Sequence, residues 1–173
     1  MTPQTYAKLA ELRAKTGKEY GKLVQKLLAL ALLETEVERL VERSIQGIDL
    51  DVKIAGRRYG FEVKTCEADE IRLGAKDLEG LERQIAEGAE PYVAVLGSGL
   101  LDEWIFVRYQ PGEIPSGKNL SSFRLRPYRN IELERRVRAA FEQTVERHTT
   151  TAIYDRQLGL DRLLENYPAR KLA

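Results

Sequence analysis

Between Gly47 and Thr65 the chain reads GIDLDVKIAGRRYGFEVKT. Ile48, Leu50, Val52 and Ile54 alternate with Asp49, Asp51 and Lys53, and Tyr59, Phe61 and Val63 repeat the alternation. A period of two marks strands with one buried face, and the AGRR segment between them suits a hairpin turn. Both apolar faces must coincide, because a one-residue slip would move every side chain to the wrong side. An even loop satisfies this, and Gly56-Arg57 as a two-residue turn pairs Ile54 with Tyr59, Val52 with Phe61 and Leu50 with Val63. The other face then sets Asp51 opposite Glu62 and Asp49 opposite Lys64, with opposed Cβ atoms about 5 Å apart.

The flanking segments supply support. Thr2-Pro3 predicts a helix start, and Gly17 ends that helix after about Lys15. From Lys18 a second helix carries Leu23, Leu27, Leu30 and Val37 at helical spacing, widened by Val24, Leu28 and Ala31, and should pack on the hairpin. The segment ETEVERLVERSIQ contains the capping box Thr35-x-x-Glu38, yet a strand over about Val37 to Ser44 is the better expectation, because a lone hairpin is unstable. CEADEIRLGAKD reads as irregular. A helix is expected from about Lys76 to Glu87 with Leu78, Leu81 and Ile85 inward, then the buried strand PYVAVLG and the strand WIFVRY. Residues 110–120 read as a surface loop. Helices over Ile131–His148 and Thr151–Asn166 close the chain, the first with Val137, Phe141 and Val145 as its buried edge. The expected class is α/β: a central mixed sheet of four to five strands flanked by helices, with a C-terminal helical extension. Its expected parts are an N-terminal helix (1–16), a core (17–110), and a basic loop with C-terminal helices packed on the core (111–173).

Composition narrows the function. The 173 residues suffice for one core, and 43% apolar with 32% charged residues fits a soluble globular protein. LVQKLLALALL is too short to span a bilayer and is interrupted by Gln25 and Lys26, and Met1 to Lys18 lacks a signal-peptide core. A cytoplasmic location without membrane association is expected. Cys66 is the single cysteine and His148 the single histidine, so disulfides, a zinc site and a Ser-His-Asp triad lack support. Gly97-Ser98-Gly99 matches no phosphate-loop pattern, which argues against a nucleotide cofactor. The net charge is +1, so a nucleic-acid surface would have to be local.

The chemistry lies on the polar face of the hairpin. Asp49, Asp51, Glu62 and Lys64 share one patch, and opposed like charges on a sheet invite either a raised pKa or a bound cation. Mg²⁺ suits such a patch, because it takes oxygen ligands, needs only one or two carboxylates and retains waters. The lysine suits a place where an anion meets that metal.

Gly47-Ile48-Asp49, followed by Glu62-Val63-Lys64 with Glu62 thirteen positions after the aspartate, resembles the PD-(D/E)XK nuclease core. The spacing and the EVKT ending are most similar to archaeal Holliday junction resolvases and related restriction-endonuclease-like proteins, over roughly residues 17–108. The resemblance implies that Asp49 and Glu62 hold Mg²⁺, with Mn²⁺ as a substitute, helped by the Val63 carbonyl, and that Lys64 assists the attacking water. It implies a homodimeric DNA endonuclease, structure-specific for junctions or branches. Ile48 stands where the family has proline, and Gln25 stands where many members have a first-helix glutamate; Glu19 is the nearest acidic alternative. Asp51 rivals Asp49 as a ligand, and Gln84 resembles a polar residue that the crossover helix of relatives brings toward the site. Arg57 and Arg58, and Arg124, Arg126 and Arg129 interleaved with Phe123 and Tyr128, are candidates for gripping phosphates and stacking on bases, a solvated linker being the alternative for the latter group. Two readings of different class follow: a Mg²⁺-dependent endonuclease acting on DNA, or a nuclease fold retained for nucleic-acid binding or assembly without cleavage. An RNA-directed, toxin-like nuclease is a third.

Overall fold

The computed structural model describes residues 1–42, 48–66, 70–97, 103–114, 116–121 and 126–167. The Thr2 hydroxyl accepts the Thr5 amide and Pro3 fills the first turn of α1 (Pro3–Thr16), which Gly17 ends at φ 54°. A 3₁₀ turn over Gly17–Glu19 leads into α2 (Tyr20–Leu33), in which every residue from Leu23 onward is buried. A helix buried all round must be covered on all sides. One side is the sheet, and the others are helices.

The ambiguous segment after α2 is a strand, β1 (Val37–Glu42), antiparallel to β2 (Leu50–Ile54), which is antiparallel to β3 (Arg57–Cys66). After the short strand β4 (Glu70–Arg72) comes α3 (Ala75–Ala86), and the chain then returns as β5 (Glu90–Gly97), parallel to β3. β6 (Trp104–Arg108) pairs antiparallel with β5 and completes a mixed sheet ordered β1-β2-β3-β5-β6. β7 (Asn119–Ser121) pairs with β4 as a separate two-stranded ribbon. The helices α4 (Ile131–Tyr154) and α5 (Arg156–Glu165) form the C-terminal helical region.

Period two divides the sheet cleanly. Leu50, Val52, Ile54, Phe61, Tyr92, Ala94, Leu96, Trp104 and Phe106 share one core with α1, α2, α4 and α5, while Val93, Val95, Ile105 and Val107 form a second with Leu81 of α3 and with Ile71 and Leu73. Aromatic edges tie the larger core together, Phe61 on Phe106 at 5.5 Å and Trp104 on Phe141 at 5.2 Å between ring centroids. Inside it Lys26 is buried, both Glu42 oxygens lie 3.0 Å from its Nζ, and Asp161 of α5 pairs with it from the other side. A buried ammonium persists only with such partners.

The hairpin turn differs from the expected one. It is Ala55-Gly56, with φ of 49° and 76°, and pairs Ile54 with Arg57, Val52 with Tyr59, Asp51 with Gly60 and Leu50 with Phe61. A two-residue hairpin of type I′ needs positive φ at both central positions and favours glycine at the second, which Gly56 satisfies. The pairing is displaced by two residues from Gly56-Arg57. Both apolar faces survive, but Asp51 is not opposite Glu62.

Three further expectations changed. The acidic stretch after Cys66 and the 110–120 loop contribute β4 and β7, too short to show an alternation. The helix expected to end at His148 runs on to Tyr154, because Thr149 returns its hydroxyl to the Val145 carbonyl and stays helical. The break falls instead at Arg156, with φ 57°. No helix among the described residues is long and apolar enough to cross a membrane.

Ala55 is exposed and holds a left-handed conformation that costs an L-residue roughly 1–2 kcal/mol and that asparagine tolerates. Ala55→Asn should stabilise the protein by about 0.5–1 kcal/mol, read as a higher urea midpoint at unchanged m-value.

Candidate active site

The last pair of the β2–β3 ladder is Leu50 with Phe61. Continuing that register by one residue brings Asp49 level with Glu62, not with Lys64 as the expected turn required. The Asp49 carboxylate accepts the Val63 amide at 2.9 Å, which fixes it against β3. Glu62 is 5% exposed and lies 2.8 Å from the Lys64 ammonium. Lys64 reaches Asp77 at 2.9 Å on its other side. Asp77 stands in the first turn of α3, where it also accepts the Gly74 amide at 2.8 Å.

Three acids from three parts of the chain therefore gather near one lysine. Asp77 was not among the expected site residues, since its segment read as irregular. Its signal was a glycine three positions earlier at a helix start, the geometry in which a first-turn carboxylate caps the backbone.

Burial and crowding set the protonation. Burial, and then the Asp49 charge, push the Glu62 carboxyl up to about 8, and the Lys64 pair does not offset them. Burial also raises Asp49, against the Val63 hydrogen bond and the charges of Lys22 and Lys64. Burial works against the Lys64 ammonium, but Glu62 and Asp77 outweigh it and its pKa rises. For Asp77, burial is outweighed by hydrogen bonds from Lys64 and the Gly74 amide, so its pKa falls. At neutral pH this is a charged lysine beside a carboxyl that holds its proton because a second carboxyl is near.

The other expected residues are distributed differently. Asp51 is paired with Arg58 at 2.8 Å and faces Gly60, so its rivalry with Asp49 rested on a register the fold does not adopt. Gln25 donates to Glu42 at 3.1 Å and accepts Lys22 at 3.0 Å. Both ends of its amide are engaged, and it reaches the site only through Lys22, whose charge acts on Asp49. Gln84 is 1% exposed, and its Oε1 has no hydrogen-bond partner among the described residues. A Cβ added to Gly60 would lie 2.7 Å from its Cγ and 2.9 Å from Ile48 Cδ1, so a glycine two residues before Glu62 makes room for this side chain. Arg57 and Arg58 lie at the turn end of the hairpin, the former 3.7 Å from Glu90 and the latter also bonded to the Glu87 carbonyl. Arg129 is no free phosphate grip: it clamps Glu134 through bonds of 2.9 and 2.6 Å, and Glu134 accepts the Phe106 amide. Arg126 opens a 3₁₀ turn over Arg126–Tyr128, and Tyr128 bonds Glu113. Gly47, Ser98, Gly99, Phe123 and Arg124 lie outside the described residues.

Among the described residues no three His, Cys, Asp or Glu side chains form a ready cation cluster. The donor set still fits a hard divalent ion. Mg²⁺ needs only one or two carboxylates and keeps waters, and the pair that could supply them, Asp49 and Glu62, is one whose mutual repulsion a cation would relieve.

No protein-family model matches this chain, and no curated protein matches it. Among solved structures, Hjc of Archaeoglobus fulgidus, a Holliday junction resolvase from an archaeal hyperthermophile, is similar at 18% identity and a TM-score of 0.41, over 60% of this chain and 90% of that one. A likeness this distant assigns no role to any residue.

Two consequences are measurable. Because folding raises the Glu62 pKa from an ordinary 4.5 to about 8, the folded state binds more protons than the unfolded one across that window, and the metal-free protein loses stability as pH rises through it. Glu62→Gln should flatten this slope and exceed the wild type by roughly 1–3 kcal/mol at pH 9, with the gap closing toward pH 5, in urea titrations. Gly60→Ala should cost about 1–3 kcal/mol in the same assay, because Gln84 and Ile48 must move.

Proposed function

We propose that this protein is a metal-dependent nuclease that hydrolyses phosphodiester bonds in DNA, acting as a homodimer on branched or junction substrates. The carrying observation is the register of the β2–β3 hairpin, which sets Asp49 level with Glu62 while Lys64 stands beside Glu62. Asp49 and Glu62 would hold Mg²⁺, or Mn²⁺ in its place, with the Val63 carbonyl as a third oxygen donor. When bound, such an ion supplies positive charge against the phosphoryl oxygens and acidifies water. The Val63 amide holds the Asp49 carboxylate in one orientation. Lys64 keeps its proton at neutral pH, so its role is to orient the attacking water and neutralise charge building on the phosphate, not to remove a proton. Asp77 positions the lysine from α3.

One observation favours the reading without cleavage. The Gln25 amide is fully engaged by Lys22 and Glu42, so α2 contributes no carboxylate at the family position. Cutting of four-way, flapped and linear DNA in Mg²⁺ and in EDTA separates the two, with RNA as a parallel substrate. Expected are metal-dependent cleavage and a loss of about 100-fold or more in Glu62→Gln and in Lys64→Ala, with DNA binding retained. If wild type and the double variant are equally inert while both bind DNA, the protein binds without cutting.

A further inference from the structure

The proposed chemistry leaves one built feature unused. A groove of about 220 Å³ runs along α1, lined by Tyr6, Leu9, Ala10, Arg13, Ala14 and Tyr20, with Gly97 at its end. Tyr6, Ala10, Arg13 and Ala14 fall at helical spacing on one face, and the two alanines leave a slot between the larger side chains. The Arg13 guanidinium lies 4.6 Å from the centre of the Tyr20 ring, and the Tyr6 ring is 41% exposed.

The groove shares an end of the sheet with the candidate site. Gly97 is level with Cys66 in the β3–β5 ladder, two residues beyond Lys64, or about 7 Å along the strand. On the other flank a Cβ on Gly21, the residue after Tyr20, would stand 3.4 Å from the Thr65 hydroxyl, and Thr65 follows Lys64.

We propose that this groove is a stacking subsite for a nucleobase displaced from the helical stack next to the phosphate that is cut. The volume is below that of a drug-sized pocket and suits a single flat ring system. Its walls are mainly apolar, which disfavours a phosphate, and the guanidinium is turned face-on to Tyr20, as in cation–π stacking and not in a bidentate anion fork. An alkyl chain would desolvate Arg13 and the Tyr6 hydroxyl without satisfying either. A base offers a π-face to Tyr6 and to the guanidinium, and acceptor atoms at its edge. A fully paired duplex keeps its bases stacked and cannot fill the groove, so the substrate class is DNA with an unpaired base beside the cut.

This inference rests on the nuclease reading for its substrate, and the test separates the two. Duplexes carrying one unpaired 2-aminopurine, and fully paired controls, are titrated with protein in EDTA, so that cleavage plays no part. Wild type and Glu62→Gln are expected to quench the 2-aminopurine and to bind the unpaired substrate more tightly than the paired one. Tyr6→Ala should lose the quenching and weaken binding of the unpaired substrate alone by about 5- to 100-fold, Tyr6→Phe should retain both, and Ala14→Leu, which fills an exposed slot, should behave as Tyr6→Ala. Binding with no dependence on Tyr6 or Ala14 overturns the subsite but leaves the nuclease reading standing. Failure to bind any DNA overturns both. A change from dimer to monomer in Tyr6→Ala by analytical ultracentrifugation would make the groove a contact between copies of the chain and overturn the base assignment.

Discussion

The pairing of β2 with β3 is the constraint from which the candidate site follows. Two turn residues at positive φ, Ala55 and Gly56, fix which residue faces which down the ladder. Moving the turn by one position along the chain would leave every apolar side chain on its present face and the core unchanged in kind. It would nevertheless put Asp51 against Glu62 and release Asp49. The core specifies the parity of this register, and the turn specifies the rung.

At that rung the fold tolerates an electrostatic conflict. Two carboxyls are brought level at the end of a half-buried ladder, and a lysine beside them is shared with a third acid on another element. Pairing Lys64 with Asp77 as well as Glu62 keeps the ammonium charged but leaves Glu62 undercompensated, so it retains a proton. Structural networks usually settle with every charge matched. A site left one cation short is a natural receptor for one.

Most of the scaffold was legible in the sequence, because its cues are local. Thr2-Pro3 and Gly17 bound α1, period-two runs mark β2, β3, β5 and β6, and the Leu78, Leu81 and Ile85 spacing marks α3. What escaped depended on longer reach. Both even turns satisfy the alternation of the hairpin, and only backbone preference at Ala55-Gly56 separates them. Asp77 joins the site through an α3 that begins a strand and a connection later. Arg129 looked like one of a row of phosphate-binding arginines, yet its partner Glu134 lies a turn into α4 and receives it as a clamp. Gln25 fell at the position where relatives place an acid, but side-chain partners from β1 and its own helix decide what its amide does.

The Lys26 cluster ties the two ends of the chain together. Its ammonium sits in the large core with one carboxylate from β1 and one from α5. Peeling α5 away would strand a desolvated cation with half of its compensation. The terminal helix is thus a plug over a buried charge, and releasing it would loosen the β1 end that lies beside the hairpin, so a cut or a partner acting at the far terminus would be felt on the strand next to Asp49.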